Sequence, residues 1–290
     1  MSSAAPGGGC GYVLPDQQAE EKALQRLREL EAERRHLAAD LKAQRSLRAS
    51  LLALHEPTAL EEERAVEVRF GDGREASLSF RQEPGLAQGG LLWSSAILLA
   101  RHIAQVGFVA PDDKPLRVLE LGCGAAALPS LVASCIPGVD VLATDLKEVV
   151  QLAADNYERS RGVLVPAGQE VQFVSHDWTE EPGKALAAGP RGFDVILAAD
   201  TLYDASLQDP LICAIKASVK EQGGLLLVAY KERDPLVESA FFRQLAELGA
   251  AHSEHTIPEE LLKDLDATGL HLREVRFPGK EKVHEAALEA

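Results

Sequence analysis

Between residues 65 and 80 apolar and polar side chains alternate: Ala65-Val-Glu-Val-Arg-Phe70 and Ala76-Ser-Leu-Ser-Phe80 each put every second residue on one face, with Gly71-Asp-Gly73 between them. This pattern predicts a β-hairpin of half-buried strands. Further along, alternation gives way to short, nearly continuous apolar runs at 118–121, 139–145, 171–177, 193–200 and 224–230, the pattern of strands buried on both faces. Helical stretches separate them, predicted at 125–133, 147–160, 207–219 and 235–248, and a largely buried helix at 91–104 precedes the first run. The end of the chain holds a strand-like stretch at 251–257, a short helix near 261–265 and a second strand-like stretch at 270–277. Strands alternating with helices imply an α/β fold with a parallel, doubly wound sheet and right-handed crossovers. The last two strands read as an antiparallel finish.

The N-terminal part follows another pattern. Residues 1–15 are rich in Gly, Ala and Ser with two prolines, which predicts a disordered tail. Residues 16–56 lack Gly and Pro and are dominated by good helix formers, and Pro57 ends the stretch. Leu27, Leu30, Leu37, Leu41 and Leu51 fall near heptad seam positions, but Arg34, Gln44 and Arg48 interrupt the seam. A long amphipathic helix fits better than a coiled-coil dimer; it would lie on the main domain or serve a partner. The main domain is expected over 64–280, opening with the hairpin at 64–80, and 281–290 form a tail. Pro84, Gly85, Gly89 and Gly90 predict a flexible loop.

The chemistry concentrates at strand ends, where open α/β sheets bind ligands. Leu116-Arg-Val-Leu-Glu-Leu-Gly-Cys-Gly124 reads as a strand running into a glycine turn, with a helix expected to begin at once and to offer its N–H groups to a negative ligand. The dinucleotide fingerprint asks for a third glycine where this chain has Ala127, which disfavours a nicotinamide cofactor. Candidate binding positions are therefore Glu120 and Gly122, Cys123 and Gly124 after the first strand. Asp145 follows the second, Asp177 and Trp178 the third, and Ala199 and Asp200 the fourth. Asp145 lies 21 residues beyond Gly124 and can accept both ribose hydroxyls of an adenosine. Asp177 can accept from an adenine amino group and Trp178 can cover its ring. The alternatives, an acid capping the next helix and an indole packed as core, remain open here.

Net charge alters this picture in one respect. Residues 16–48 carry eight basic and seven acidic side chains, so the total of −15 leaves 22 basic against 38 acidic, or −16, on the rest. Such a body disfavours nucleic acid as the main partner and suits a cationic substrate such as a basic protein surface. Cys10, Cys123, Cys135 and Cys213 have no metal-ligand spacing, so no metal site is predicted and reduced thiols are expected. No apolar run approaches the ~18 residues of a membrane span, and no secretory signal is visible. The expected location is the cytoplasm, with the nucleus also compatible.

Four motifs carry a family resemblance over about residues 64–277, in family order. The E-x-G-x-G form Glu120-Leu-Gly-Cys-Gly124 resembles motif I of class I S-adenosylmethionine methyltransferases. Trp93 on the helix ahead of it, the pair Asp177-Trp178, and Asp200-Thr-Leu-Tyr203 as a D-x-x-Y motif resemble the seven-β-strand protein lysine methyltransferases of methyltransferase family 16. The resemblance implies a Rossmann-like seven-stranded methyltransferase sheet, S-adenosylmethionine as cofactor and S-adenosylhomocysteine as product. It implies cofactor contacts from Trp93, Gly122, Cys123, Gly124, Asp145, Trp178 and Ala199, and a lysine channel lined by Asp200 and Tyr203. It further implies a protein substrate, with an elongation factor such as elongation factor 1-alpha typical of the family. Asp200 would attract and aim the amine, and Tyr203 would wall its aliphatic stem. Lys231-Glu-Arg233 also looks like the family, without an assigned role. A small-molecule N-methyltransferase and an S-adenosylmethionine-binding interaction module are the alternatives.

Overall fold

The structure, a computed structural model, describes residues 22, 25–30, 32–36, 44, 61–110, 113–164, 170–180, 186 and 192–279. The chain divides into two units, Met1–Gln44 and Arg45–Ala290. In the first, the described residues are helical and exposed, and Arg26 pairs with Glu29 one turn away at 3.1 Å. Most of the predicted helix over 16–56, and both predicted tails, lie outside the described residues.

The second unit opens with the predicted hairpin. Strand β1 (Glu63–Arg69) pairs antiparallel with β2 (Glu75–Arg81), Val66 facing Leu78 and Arg64 facing Phe80. Its alternation has the expected consequence: Val66, Val68, Leu78 and Phe80 are buried on one face. Helix α1 (Ser94–Val106) follows, then β3 (Leu116–Leu121), α2 (Leu128–Ala133), β4 (Val139–Asp145), α3 (Lys147–Leu164), β5 (Val171–Ser175) and β6 (Val195–Ala199). Helix α4 (Gln208–Ser218), β7 (Leu225–Lys231), α5 (Pro235–Glu247), β8 (Ala251–Glu254) and β9 (Leu270–Arg276) complete it. The main sheet has the order β5-β4-β3-β6-β7-β9-β8. Strands β3 to β7 are parallel, and β9 runs antiparallel to both β7 and β8, as the sequence pattern predicts.

Successive side chains of a strand face opposite layers. Val118 therefore joins the core cluster shared with the hairpin, α1, α2 and Tyr157 of α3, while Leu119 and Leu121 join the cluster that packs on α4 and α5. The buried Asn156 of α3 ties the layers near the glycine turn. It accepts from the Arg81 N–H at 2.9 Å and donates to the Arg81 and Ala125 carbonyls at 2.9 and 2.8 Å.

Two local expectations are corrected. The helix after the glycine turn begins at Leu128, not Ala125, because Ala127 is left-handed (φ 43°) and the chain turns once more before the helix can start. The stretch expected to be a flexible loop is a pair of tight 3₁₀ turns over Pro84–Gly90. Gly90 is obligatory there: a Cβ on it would lie 1.9 Å from the Glu83 carbonyl oxygen. The Gly89 carbonyl accepts from the Ala125 N–H at 2.7 Å, fastening this segment to the glycine turn.

Candidate active site

The turn after β3 uses glycine for a specific reason. Gly122 and Gly124 have φ of 71° and 61°, where a side chain is strained. A Cβ on Gly122 would also come within 3.1 Å of the Trp178 ring and of the Thr201 methyl. The turn is held from β4: the N–H groups of Gly122 and Cys123 both donate to the Thr144 carbonyl at 2.9 Å. The Gly124 N–H donates to Asp145 Oδ2 at 2.9 Å, and the Leu146 N–H to Asp145 Oδ1 at 2.7 Å. Burial pushes the Asp145 carboxyl up to about 6, against the pull of those two N–H bonds. The N–H groups of Gly122 to Ala125 are thus taken by the Thr144 carbonyl, Asp145 and the Gly89 carbonyl, and α2 starts three residues later than expected.

Glu120 lies apart from the other predicted positions. Its parity places it with Val118, on the α2 side of the sheet, where Oε2 accepts from the Ser130 N–H at 2.9 Å and hydroxyl at 2.5 Å. It is fully buried, Oε1 has no partner among the described residues, and burial pushes its carboxyl up to about 8. At neutral pH it is therefore mostly a protonated acid bracing α2 beneath the turn.

The other ten predicted positions line one cavity of about 350 Å³: Trp93, Gly122, Cys123, Gly124, Asp145, Asp177, Trp178, Ala199, Asp200 and Tyr203. The fold explains the convergence. Strands β4 and β6 flank β3, and all three are parallel, so their carboxyl ends meet at one edge. Asp177 Oδ1 accepts from the Thr179 N–H at 2.8 Å and hydroxyl at 2.6 Å; burial alone would raise its carboxyl, but these bonds hold it below the usual range. The Trp178 indole N–H is buried without a partner among the described residues. The Trp93 indole N–H donates to the Gln88 carbonyl at 2.9 Å. Burial raises the Cys123 thiol far above its ordinary value, so it stays protonated.

Asp200 is strained (φ 55°) and buried. Its carboxylate is gripped from the end of the neighbouring strand β7: Arg233 donates to Oδ1 at 2.9 Å and to Oδ2 at 2.7 Å, and the Lys231 N–H reaches Oδ1 at 3.2 Å. Sequence reasoning gives Arg233 no role, reads Gly89 only as loop and does not mark Leu86, Ala87 or Gln88, and these four residues at 86–89 close one side of the cavity. The Gly-rich composition of 84–90 was the available signal for that wall; nothing in the spacing announces the Asp200–Arg233 pair. Among the described residues no cluster of His, Cys, Asp or Glu could hold a metal ion, and no helix is long and apolar enough to cross a membrane.

The cavity suits a nucleoside: an acid at the tip of β4, an indole with an N–H unpartnered among the described residues against the glycine turn, and glycines that add no side chain to the wall. Comparison with known proteins agrees in class. The sequence profile of a family described as lysine methyltransferase matches residues 73–248. The chain is similar to the protein N-terminal and lysine N-methyltransferase EFM7 of Candida albicans, 31% identical over 157 residues, which cover 51% of this chain and 58% of that protein. It is similar to the protein-lysine methyltransferase METTL21E of Bos taurus, 32% identical over 144 residues, covering 48% of this chain and 47% of that protein. The matches thus span 58% and 47% of these curated relatives' own lengths. A methyltransferase from Pyrococcus furiosus is a structural neighbour at 18% identity and a TM-score of 0.42, covering 63% of this chain and 83% of that one.

Proposed function

The chain belongs to the lysine methyltransferase family, and from that premise we propose that it is an S-adenosylmethionine-dependent protein N-methyltransferase acting on a lysine side chain. The observation that carries this reading is the convergence of Asp145, Trp178, Asp200 and Tyr203 on one cavity around the glycine turn. When bound, S-adenosylmethionine supplies a sulfonium methyl whose C–S bond breaks as a nitrogen lone pair forms the N–C bond, leaving S-adenosylhomocysteine. Asp145 is the candidate partner of the ribose hydroxyls, with Trp178 and Asp177 beside the adenine and Trp93 and the glycine turn completing the seat. Ionised Asp145 accepts best, so its raised carboxyl makes the seat strongest above pH 6. Asp200 and Tyr203 orient the amine, whose proton leaves to water. Orientation of this kind supplies much of the rate of a displacement.

An elongation factor such as elongation factor 1-alpha is the proposed substrate, on the family resemblance, and the cytoplasm the proposed location. A second reading has one specific support: EFM7 is named for N-terminal as well as lysine methylation, so the acceptor would be the α-amine of a protein chain. The experiment is incubation with labelled S-adenosylmethionine and cell lysate, followed by mass analysis of the labelled protein. Label on a lysine supports the main reading and label on a chain terminus the second. Label confined to small molecules overturns both.

A further inference from the structure

Asp200 faces the cavity already paired. Its side chain is 5% exposed, that of Arg233 is 20% exposed, and two parallel N–H···O bonds join them. A bidentate guanidinium–carboxylate pair of this kind is both strong and directional. Arg233 is not part of the cavity wall; it stands behind Asp200, with its guanidinium 5.7 Å from the Trp93 ring centre. Its own backbone is fixed by the Glu238 carboxylate, which accepts the Arg233 N–H at 2.9 Å and the Asp234 N–H at 3.3 Å. A carboxylate has about four acceptor positions. Here Oδ1 uses two, on Arg233 and the Lys231 N–H, and Oδ2 uses one, so a single position on Oδ2 is left among the described residues.

A bare carboxylate in this place would hold a substrate lysine as its ammonium, because an opposite charge a few ångströms away favours the charged form. That form cannot attack a methyl group, and free lysine already has a pKa of about 10.4. A neighbouring cation works the other way and is a recognised means of activating an amine. We propose that Arg233 is the charge-setting and positioning residue of the amine site: it offsets the charge of Asp200 and leaves one oxygen position to aim an N–H of the neutral amine. The inference rests on the methyltransferase reading and deepens it.

The neighbouring ionisable groups do not account for such an effect. The Lys231 ammonium is engaged by Asp266 at 2.6 Å. Asp145, pushed up to about 6, and Asp177, held low, are both ionised above pH 7.5, while the buried Cys123 thiol stays neutral. His176, Tyr203 and Asp204 also face the cavity, and they are unchanged in every variant below.

The test measures initial rates of label transfer into the lysate protein from pH 7 to 10 for the wild type, Arg233→Met and Arg233→Lys. The Met variant should be about tenfold slower near pH 7.5 and approach the wild type near pH 10, its profile displaced by about one unit toward alkali, since one unit corresponds to a tenfold change. The Lys variant keeps the charge and should keep the wild-type position of the profile while losing some rate at every pH. A uniform loss in the Met variant overturns the inference, as does a Lys profile displaced as far as the Met profile. Affinity for S-adenosylhomocysteine, read by calorimetry, should change by less than about threefold in both variants; loss in both assigns Arg233 to the cofactor seat instead. Wild-type protein that labels no protein at any pH removes the reading beneath the inference, an outcome distinct from superimposed profiles.

Discussion

Asp145 and Asp200 stand at the tips of the two strands that flank β3, line the same cavity, and are held in opposite ways. Asp145 is held by backbone N–H groups at 2.9 and 2.7 Å, one from the glycine turn and one from the next residue, and among the described residues no cation is bonded to it. Burial raises its carboxyl to about 6 against the pull of those two bonds. Asp200 is held by a guanidinium from 33 residues away. Neutral N–H donors leave a carboxylate's charge available to a ligand; a guanidinium cancels it. One edge of the sheet therefore offers an acceptor for hydroxyl groups and, a few residues across, a nearly neutral guide for an amine.

The comparison breaks most visibly at Asp200. Asp200→Asn keeps the shape but loses the ion pair, and transfer of label should fall by at least about 100-fold, the scale expected when a reacting group is misplaced by about an ångström. Binding of S-adenosylhomocysteine should be largely kept; a variant that loses binding and transfer together would place Asp200 in the cofactor seat. Gly122→Val attacks the other side. A branched side chain at φ 71°, driven against Trp178 and Thr201, should weaken S-adenosylhomocysteine binding by at least about tenfold, given a left-handed penalty of about 1–2 kcal/mol before any clash. Unchanged affinity in calorimetry would separate the glycine turn from the ligand.

Asp145 sharpens the contrast through pH. Wild-type affinity for S-adenosylhomocysteine should fall by about tenfold between pH 7 and pH 5 as the carboxylate is protonated, and Asp145→Asn should be weak and flat over that range. Because the folded value is raised, the stability associated with this group is greatest at low pH and is lost as pH rises through about 6. The ligand-free Asn variant should therefore melt a few degrees above the wild type at pH 7. Glu120 gives the smallest effect. Its folded value near 8 means stability is lost as pH rises through 8, so wild-type melting should drop by a few degrees from pH 7 to pH 9. Glu120→Gln should remove that slope, and a slope that persists would show that the buried acid is ionised throughout.

The same contrast marks what the sequence can reveal. The Asp145 side was legible because its parts are local: a glycine turn, a short helix and a strand end at a fixed spacing. The parallel order followed from strand–helix alternation, and β4 ends where its apolar run meets an acid. Glu120 belongs to the same motif, yet its carboxyl faces Ser130 and not the cavity, since strand parity decides the face and motif spacing does not report it. The delayed start of α2 depends on a left-handed Ala127, for which alanine gives no sign. The Asp200 side was only half legible. The D-x-x-Y pattern marked Asp200 and Tyr203, but the hold on Asp200 is a tertiary contact from beyond β7 that no local pattern encodes. The 3₁₀ wall at Pro84–Gly90 was hidden for a related reason: its Pro and Gly content also fits a loose loop, and part of what orders it is tertiary, the bonds donated by the Ala125 N–H to the Gly89 carbonyl and by the Trp93 indole to the Gln88 carbonyl.

The cysteine inside the glycine turn has a practical consequence for reagents. Cys123 is buried and its thiol is kept protonated, whereas Cys213 on α4 is exposed. Alkylating dyes at neutral pH should mark Cys213 before Cys123. A covalent inhibitor aimed at Cys123 would have to arrive through the cavity and carry its own means of drawing off the proton, which makes residue 123 a poor warhead target and residue 213 the exposed thiol among the described cysteines.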